Sequence, residues 1–179
     1  METMVKTKWV IDPAHSEVHF KVKHLVISTV TGSFEKFEGS LEASTDDFSD
    51  TEVEFSADVN SINTNQADRD AHLKSPEFFD AAKYPALTFK STGFKSVGDN
   101  KFEMTGDLTI RGTTRQVTFD TEFGGTVKDP WGNIKAGFEI NGKINRKEFG
   151  LTWSALTETG NMVVADEIKI HINVELVKS

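Results

Sequence analysis

The side chains that could do chemistry in this sequence are its histidines, carboxylates and arginines, and their spacing limits what they can do. Five histidines occur, His15, His19, His24, His72 and His171. His15 and His19 stand four residues apart, a spacing that places two metal ligands on one helix face but not on one strand face. His19 and His24 have opposite strand parity, so a sheet would send them to opposite sides. His19 and His171 fall on the parity that carries charged residues. No metal site is expected from this set, and His15, directly after Asp12-Pro13-Ala14, fits a turn-stabilising role. Cysteine is absent, which excludes disulfides, cysteine-ligated zinc and thiol nucleophiles. No nucleophile elbow, phosphate-binding glycine loop or metalloprotease motif occurs. The glycine spacings at 32–39 and 106–112 stand in strand contexts. Asp46-Asp47 and the pair Glu103 and Asp107 read as solvated faces. Arginine is scarce, with Arg69, Arg111, Arg115 and Arg146 only. Arg69 and Arg146 suit an anionic head group or, equally in kind, a salt bridge. No base–nucleophile pair emerges, so neither catalytic residues nor a cofactor are expected.

The elements that must position these side chains are strands. Glu17–Lys23 places Val18, Phe20 and Val22 on one face and Glu17, His19, Lys21 and Lys23 on the other. Val53, Phe55, Ala57 and Val59 alternate with acids and small polar residues. Leu87 and Phe89 continue the pattern, as do Phe102, Met104 and Leu108, then Val117 and Phe119, then Phe138, Ile140 and Ile144. The row Ile168, Ile170, Ile172, Val174 and Leu176 is the cleanest. Strands with one apolar and one polar face belong to antiparallel sheets with one face in solvent. Phe34 and Phe37 break parity, which predicts a β-bulge between them. Turn signals stand at 98–100, 112–114, 124–125 and 129–132. Ala67–Ser75 reads as a single short helix ended by Pro76. The irregular stretch 76–85, with Phe78, Phe79 and Tyr84, could cover a barrel mouth, form wall, or serve as a packed crossover. Phe48 and Phe94 fit no strand row.

About eight strands and one helix, with no linker, point to one all-β domain over 1–179, a closed barrel or a sandwich, with 1–8 as a lead. Hydrophobic residues make up only 37% of the chain, yet 14 are Phe. The strand pattern puts Phe20, Phe55, Phe89, Phe119 and Phe138 on one shared face. That face could enclose a filled core or a ligand cavity, and the small inward residues Ala57, Gly106, Thr121, Ala136 and Gly142 could make room or merely serve twist and bulges. A net charge of −8 argues against nucleic acid or anionic lipid as the main partner by charge. The N-terminus lacks an apolar signal core, which predicts a soluble, cytoplasmic protein; a periplasmic or secreted place would require a signal already removed.

The chain resembles the YceI-like polyisoprenoid-binding family. The resemblance rests on Trp9-Val-Ile-Asp-Pro-Ala-His-Ser16, Val18-His-Phe20, Lys23-His-Leu25, Val30-Thr-Gly-Ser-Phe34, Phe37-Glu-Gly39 and Ser61-Ile-Asn-Thr64. It continues through Arg69-Asp-Ala-His-Leu-Lys-Ser75, Phe78-Phe79, Tyr84-Pro85, Phe89-Lys-Ser91, Gly106-Asp-Leu-Thr-Ile-Arg-Gly112 and Asn145-Arg-Lys-Glu-Phe-Gly150. It implies a lipocalin-like, eight-stranded antiparallel barrel with one short helix (67–75) and an elongated apolar pore for a long isoprenoid. The expected role is binding an isoprenoid or similar amphiphile for sequestration, storage or transport, without a cofactor. Transient membrane contact and a homodimer are further partner expectations; nucleic acid is not. The expected ligand wall is Val18, Phe20, Val22, Phe55, Val59, Leu87, Phe89, Met104, Leu108, Phe119, Phe138, Ile140 and Ile170. Phe34, Leu73, Phe78, Phe79, Phe149 and Trp153 are mouth or wall candidates. Arg69, His72 and Arg146 are head-group candidates. The alternatives are an enzyme acting on a lipid-like substrate and a filled structural or interaction barrel.

Overall fold

The computed structural model describes residues 6–25, 27–45, 47–153 and 164–179. Within them lie strands β1 (Thr7–Ile11), β2 (Glu17–His24), β3 (Ser28–Phe34), β4 (Phe37–Ala43), β5 (Glu52–Asp58) and β6 (Ile62–Asn63). Helix α1 (Ala67–Lys74) follows, then β7 (Ala86–Gly98), β8 (Lys101–Ile110), β9 (Thr113–Lys128), β10 (Ile134–Asn145) and β11 (Val164–Lys178). Short 3₁₀ turns lie at Pro13–His15, Val59–Ser61 and Arg146–Phe149.

These eleven strands make eight staves. β11 pairs with β1 through Ile11↔Leu176 and with β2 through Ile172↔Val18, so β1 and β2 are one stave kinked at the first 3₁₀ turn. β3 lies against β2 and β4 against β1, and β6 and β5 extend them the same way. β7 then pairs with β5, and β8 to β11 each pair with the strand before. Contact of β11 with β1 closes the ring, giving the expected eight-stranded antiparallel barrel with one short helix. Closure carries strand pairing all the way round the ring, which suits strands polar on the outside and apolar within.

Four local expectations change. Thr7 and Lys8, expected in a lead, already pair with Ala43 and Glu42, because β1 is needed to close the ladder. α1 ends at Lys74, with Ser75 extended ahead of Pro76, which disfavours helical backbone before it. The parity break between Phe34 and Phe37 is larger than a bulge. Phe34 pairs with Ile62 and Phe37 with Ala57, so Glu35 and Lys36 face the 3₁₀ turn Val59–Ser61. There the Ser61 hydroxyl accepts from the Lys36 N–H and donates to the Asp58 carbonyl. Gly124-Gly125 is not a turn. Phe123 pairs with Phe138 and Gly125 with Gly137, which leaves Gly124 as a bulge inside β9.

The two barrel ends differ. At the end holding the β4–β5 connection, Phe48 is buried to 1% exposure in a left-handed conformation (φ 59°). Its ring packs on Trp9, Phe123 and Phe138 at centroid distances of 5.5, 5.0 and 5.2 Å. This aromatic plug seals that end. At the other end lie α1, the stretch to Pro85 and the turn Arg146–Phe149. The tip of the β8–β9 hairpin ties them together, since Arg111 donates to the carbonyls of Gly150 (2.6 Å) and Pro76 (2.8 Å).

Candidate functional site

The lumen is hollow. A cavity of about 180 Å³ runs inside the barrel, lined almost wholly by apolar side chains. Inward-facing parity should make every row residue fully buried if the core were filled. Phe89, Phe119, Met104 and Leu108, on β7, β8 and β9, are indeed buried. Phe20, Phe55, Ile140, Ile168, Ile170 and Ile172 point the same way yet stay only half-buried. All six line the cavity.

Glycines keep that void open. A Cβ on Gly142 would sit 2.1 Å from the Phe119 ring, one on Gly106 2.5 Å from the Phe89 ring, and one on Gly32 2.2 Å from the Phe20 ring. Each of these phenylalanine rings therefore occupies the space that a side chain at a glycine of the neighbouring strand would fill. Gly106 and Gly142 thus act less as spare room than as seats for rings.

At the helical end the lining leaves the sheet and passes to Leu73, Phe78 and Phe79. Phe79 meets Phe34 edge-on at 6.1 Å. Phe78 belongs to a ring trio with His72 (5.0 Å) and Trp153 (5.3 Å). Side-chain packing closes this end, whereas the barrel wall is closed by backbone ladders.

A family model described as the YceI-like domain matches residues 9–176. The chain belongs to the YceI-like domain family. A UPF0312 protein of Staphylococcus aureus (strain bovine RF122 / ET3-1) is 38% identical over 170 residues, covering 94% of this chain and 96% of the relative. Among solved structures, Burkholderia cenocepacia BcnA is similar with a TM-score of 0.81 at 25% identity, over 92% of this chain and 98% of that one. The Campylobacter jejuni YCEI protein gives 0.75 at 35% identity, over 100% and 99%. A polyisoprenoid binding domain from Saccharophagus degradans gives 0.69 at 13% identity, over 99% and 100%, a likeness in fold.

In this YceI-like barrel, Val18, Phe20, Val22, Phe34, Phe55, Leu73, Phe78, Phe79, Leu87, Phe89, Met104, Leu108, Phe119, Phe138, Ile140 and Ile170 all line the cavity. Val59, Phe149 and Trp153 do not. Val59 is buried in the 3₁₀ turn that interrupts the wall, and Phe149 is buried in the turn after β10. Trp153 packs on Phe78, which does line the cavity. The row partners Ile168 and Ile172 belong to the lining and were legible by parity. Phe94 also lines it, hidden in the sequence by a bulge, since Ser91 pairs with Gly106 and Gly93 with Thr105. Leu151, another lining residue, lies in irregular chain with no period to reveal it.

The head-group candidates each make contacts within the fold. Arg69 donates to the Thr64 hydroxyl (2.8 Å) and carbonyl (2.6 Å), bracing the start of α1. His72 pairs with Glu77 at 2.5 Å. Arg146 touches the cavity but is only 1% exposed. Its guanidinium donates to the carbonyls of Leu151 (2.6 Å), Trp153 (2.7 Å), Ala165 (2.9 Å) and Val164 (3.2 Å). Those bonds staple the chain on either side of residues 154–163, and with Asp166 at 3.7 Å they leave little donor capacity for a ligand. Burial lowers the Arg146 pKa, partly offset by Asp166. Thr121 is the other deeply buried polar side chain of the lining, and its hydroxyl has no hydrogen-bond partner among the described residues.

Outside the lumen, Asp12, His15 and Glu175 cluster with their ligand atoms within 4.8 Å. His15 Nδ1 lies 2.7 Å from Asp12, whose carboxylate also caps the turn through the Ala14 N–H. The Lys135 ammonium sits 3.0 Å from Glu175 and 3.6 Å from Asp12. A lysine thus supplies the positive charge of this cluster, which locks the kink between β1 and β2 onto β10 and β11.

Proposed function

We propose that this protein binds a long apolar chain, an isoprenoid or similar amphiphile, within the barrel lumen for sequestration, storage or transport, with no chemical step. The observation that carries this reading is the row of inward-facing side chains left half-buried around an apolar cavity. The polyisoprenoid-binding domain among the fold relatives supports the same ligand class. Each buried methylene is worth about 0.8 kcal/mol, so a chain of isoprene units gains ample driving force even after the cost of ordering it. At about 180 Å³ the cavity is similar to the ~150 Å³ void that accepts one benzene. A long chain therefore enters by displacing lumen side chains, and the helical end, held by side-chain packing and scattered hydrogen bonds where the wall has continuous ladders, is the part that yields. An apolar tunnel discriminates weakly between chains that differ by small apolar increments, so selectivity rests on length and shape.

Solvent extraction of the purified protein followed by mass spectrometry tests the reading, together with titration of the delipidated protein with a polyprenol. Co-purifying isoprenoid-type lipid, or saturable polyprenol uptake, is expected. Absence of both would overturn it in favour of a filled structural barrel, and turnover of the bound lipid would favour the enzymatic alternative.

A further inference from the structure

The outer surface of the barrel is segregated by charge in a way that folding does not require. On most of the wall, lysines face acids across the strands: Lys8 faces Glu42, Lys90 faces Glu54 and Asp107, Lys95 faces Glu103, and Lys101 faces Glu122. Elsewhere acids face acids, as in Glu103 with Asp120 and Glu122 with Glu139. One region is the reverse. Lys21 of β2 faces Lys169 of β11, which faces Lys143 of β10. Strands lie about 4.8 Å apart, so three ammonium groups stand in a row roughly 10 Å long. Lys23 follows on the same face of β2, opposite Thr29. All four lysines are exposed, and none forms an ion pair among the described residues. Glu167, two residues along β11 and opposite Asn145, is the nearest acid by register. Like charges directly opposed destabilise a sheet, so this row has a cost within a chain whose net charge is −8.

Beside the row is an apolar tip. Leu25 ends the described part of the chain after β2, and Ile27, just before β3, is 85% exposed. Lys23 is about 7 Å behind Leu25 along the strand. The tip stands at the barrel end closed by α1 and Phe78. Val22, and Val164 opposite His24, line the cavity just behind it.

We infer that this hairpin tip and the lysine row form a docking surface for an anionic lipid bilayer, which brings the yielding end of the lumen to the membrane that supplies or receives the chain. The inference rests on the lumen reading above. Charge complementarity selects the partner: four lysines without an ion pair among the described residues outnumber the single neighbouring acid, Glu167, and meet anionic head groups while Ile27 enters the interface. Each lysine near an anionic surface strengthens partitioning about fivefold, and burial of Ile27 about tenfold.

Co-sedimentation of the full chain with vesicles tests it, comparing phosphatidylcholine alone with mixtures containing phosphatidylglycerol. The variants are Ile27→Ser and the double change Lys21→Gln with Lys169→Gln. Binding to the anionic vesicles only, release by added salt, and losses of about tenfold and about 25-fold in the two variants are expected. Polyprenol uptake from solvent, which needs no membrane, should be unchanged in both and shows that they fold. Equal binding to neutral and anionic vesicles, variants that bind like the parent, or retention on RNA without vesicle binding would each overturn the docking surface. Failed uptake from solvent by the parent protein would overturn the lumen reading instead.

Discussion

Replacing Gly142 by alanine tests whether the glycine seats hold the lumen open. The new methyl would lie 2.1 Å from Cδ1 and 2.6 Å from Cε1 of Phe119, with no backbone atom among its nearest neighbours. Ordinary carbon contact is about 3.5–4.0 Å, so the ring must retreat by about 1.4–1.9 Å. Phe119 stands on the inner face of β9 with the wall behind it, so retreat takes it into the cavity. Overpacking of this kind costs about 1–3 kcal/mol, and removing a strand glycine returns about 0.5–1 kcal/mol. The net expectation is a loss of about 0–2.5 kcal/mol in urea unfolding, with a disproportionate loss of ligand capacity. Gly137→Ala is the control, because nothing lies within 4 Å of a Cβ placed there. Titration of both delipidated variants with polyprenols of increasing length would show Gly142→Ala rejecting the longer chains, while Gly137→Ala behaves as the parent. Unaltered chain-length tolerance in Gly142→Ala would refute the idea that the seat governs lumen width.

Other outcomes follow from the same geometry. Arg146→Met strands four carbonyls now bonded to the guanidinium and should cost at least about 3 kcal/mol in urea unfolding, with Arg146→Lys recovering little because a single ammonium cannot span them. Thr121→Val removes an unpartnered buried hydroxyl at nearly constant volume; thermal unfolding should show stability unchanged or raised by up to about 1 kcal/mol, without loss of polyprenol binding. The Asp12 pKa is lowered, chiefly by its hydrogen bond from His15 against an opposing burial cost, with help from the Ala14 N–H and the charges of His15 and Lys135. Its contribution is full above the unfolded value of about 3.9 and is lost as pH falls through the lower folded value. Asp12→Asn should therefore be less stable than the parent at neutral pH and converge with it in acid, as followed by unfolding at stepped pH.

Much of the barrel was legible because alternation is a local property. Ile168, Ile170 and Ile172 declare a face by their spacing alone, and a two-residue period fixes which side of any sheet they occupy. The same logic failed wherever a single inserted residue reversed it. Thr92 hides the inward aim of Phe94, and Gly124 masquerades as a turn inside β9. Phe48 has no periodic neighbours at all, so nothing local announces that it plugs the barrel. The partners of the arginines were illegible for another reason. Arg69 and Arg146 are residue types that suit anions, but in the fold they donate chiefly to carbonyl groups, and to the Thr64 hydroxyl, that only the folded chain presents.

The sequence by itself determined that the strands are two-faced, that Phe gathers on the inner face, and that cysteine chemistry is closed to this chain. Tertiary structure decided whether the inner face is solid or hollow. That outcome depends on which residue of the neighbouring strand each ring reaches over: Gly142 beside Phe119, Gly106 beside Phe89, Gly32 beside Phe20. Register between strands distant in sequence sets those neighbours, and a row of alternating residues carries no record of what it will face.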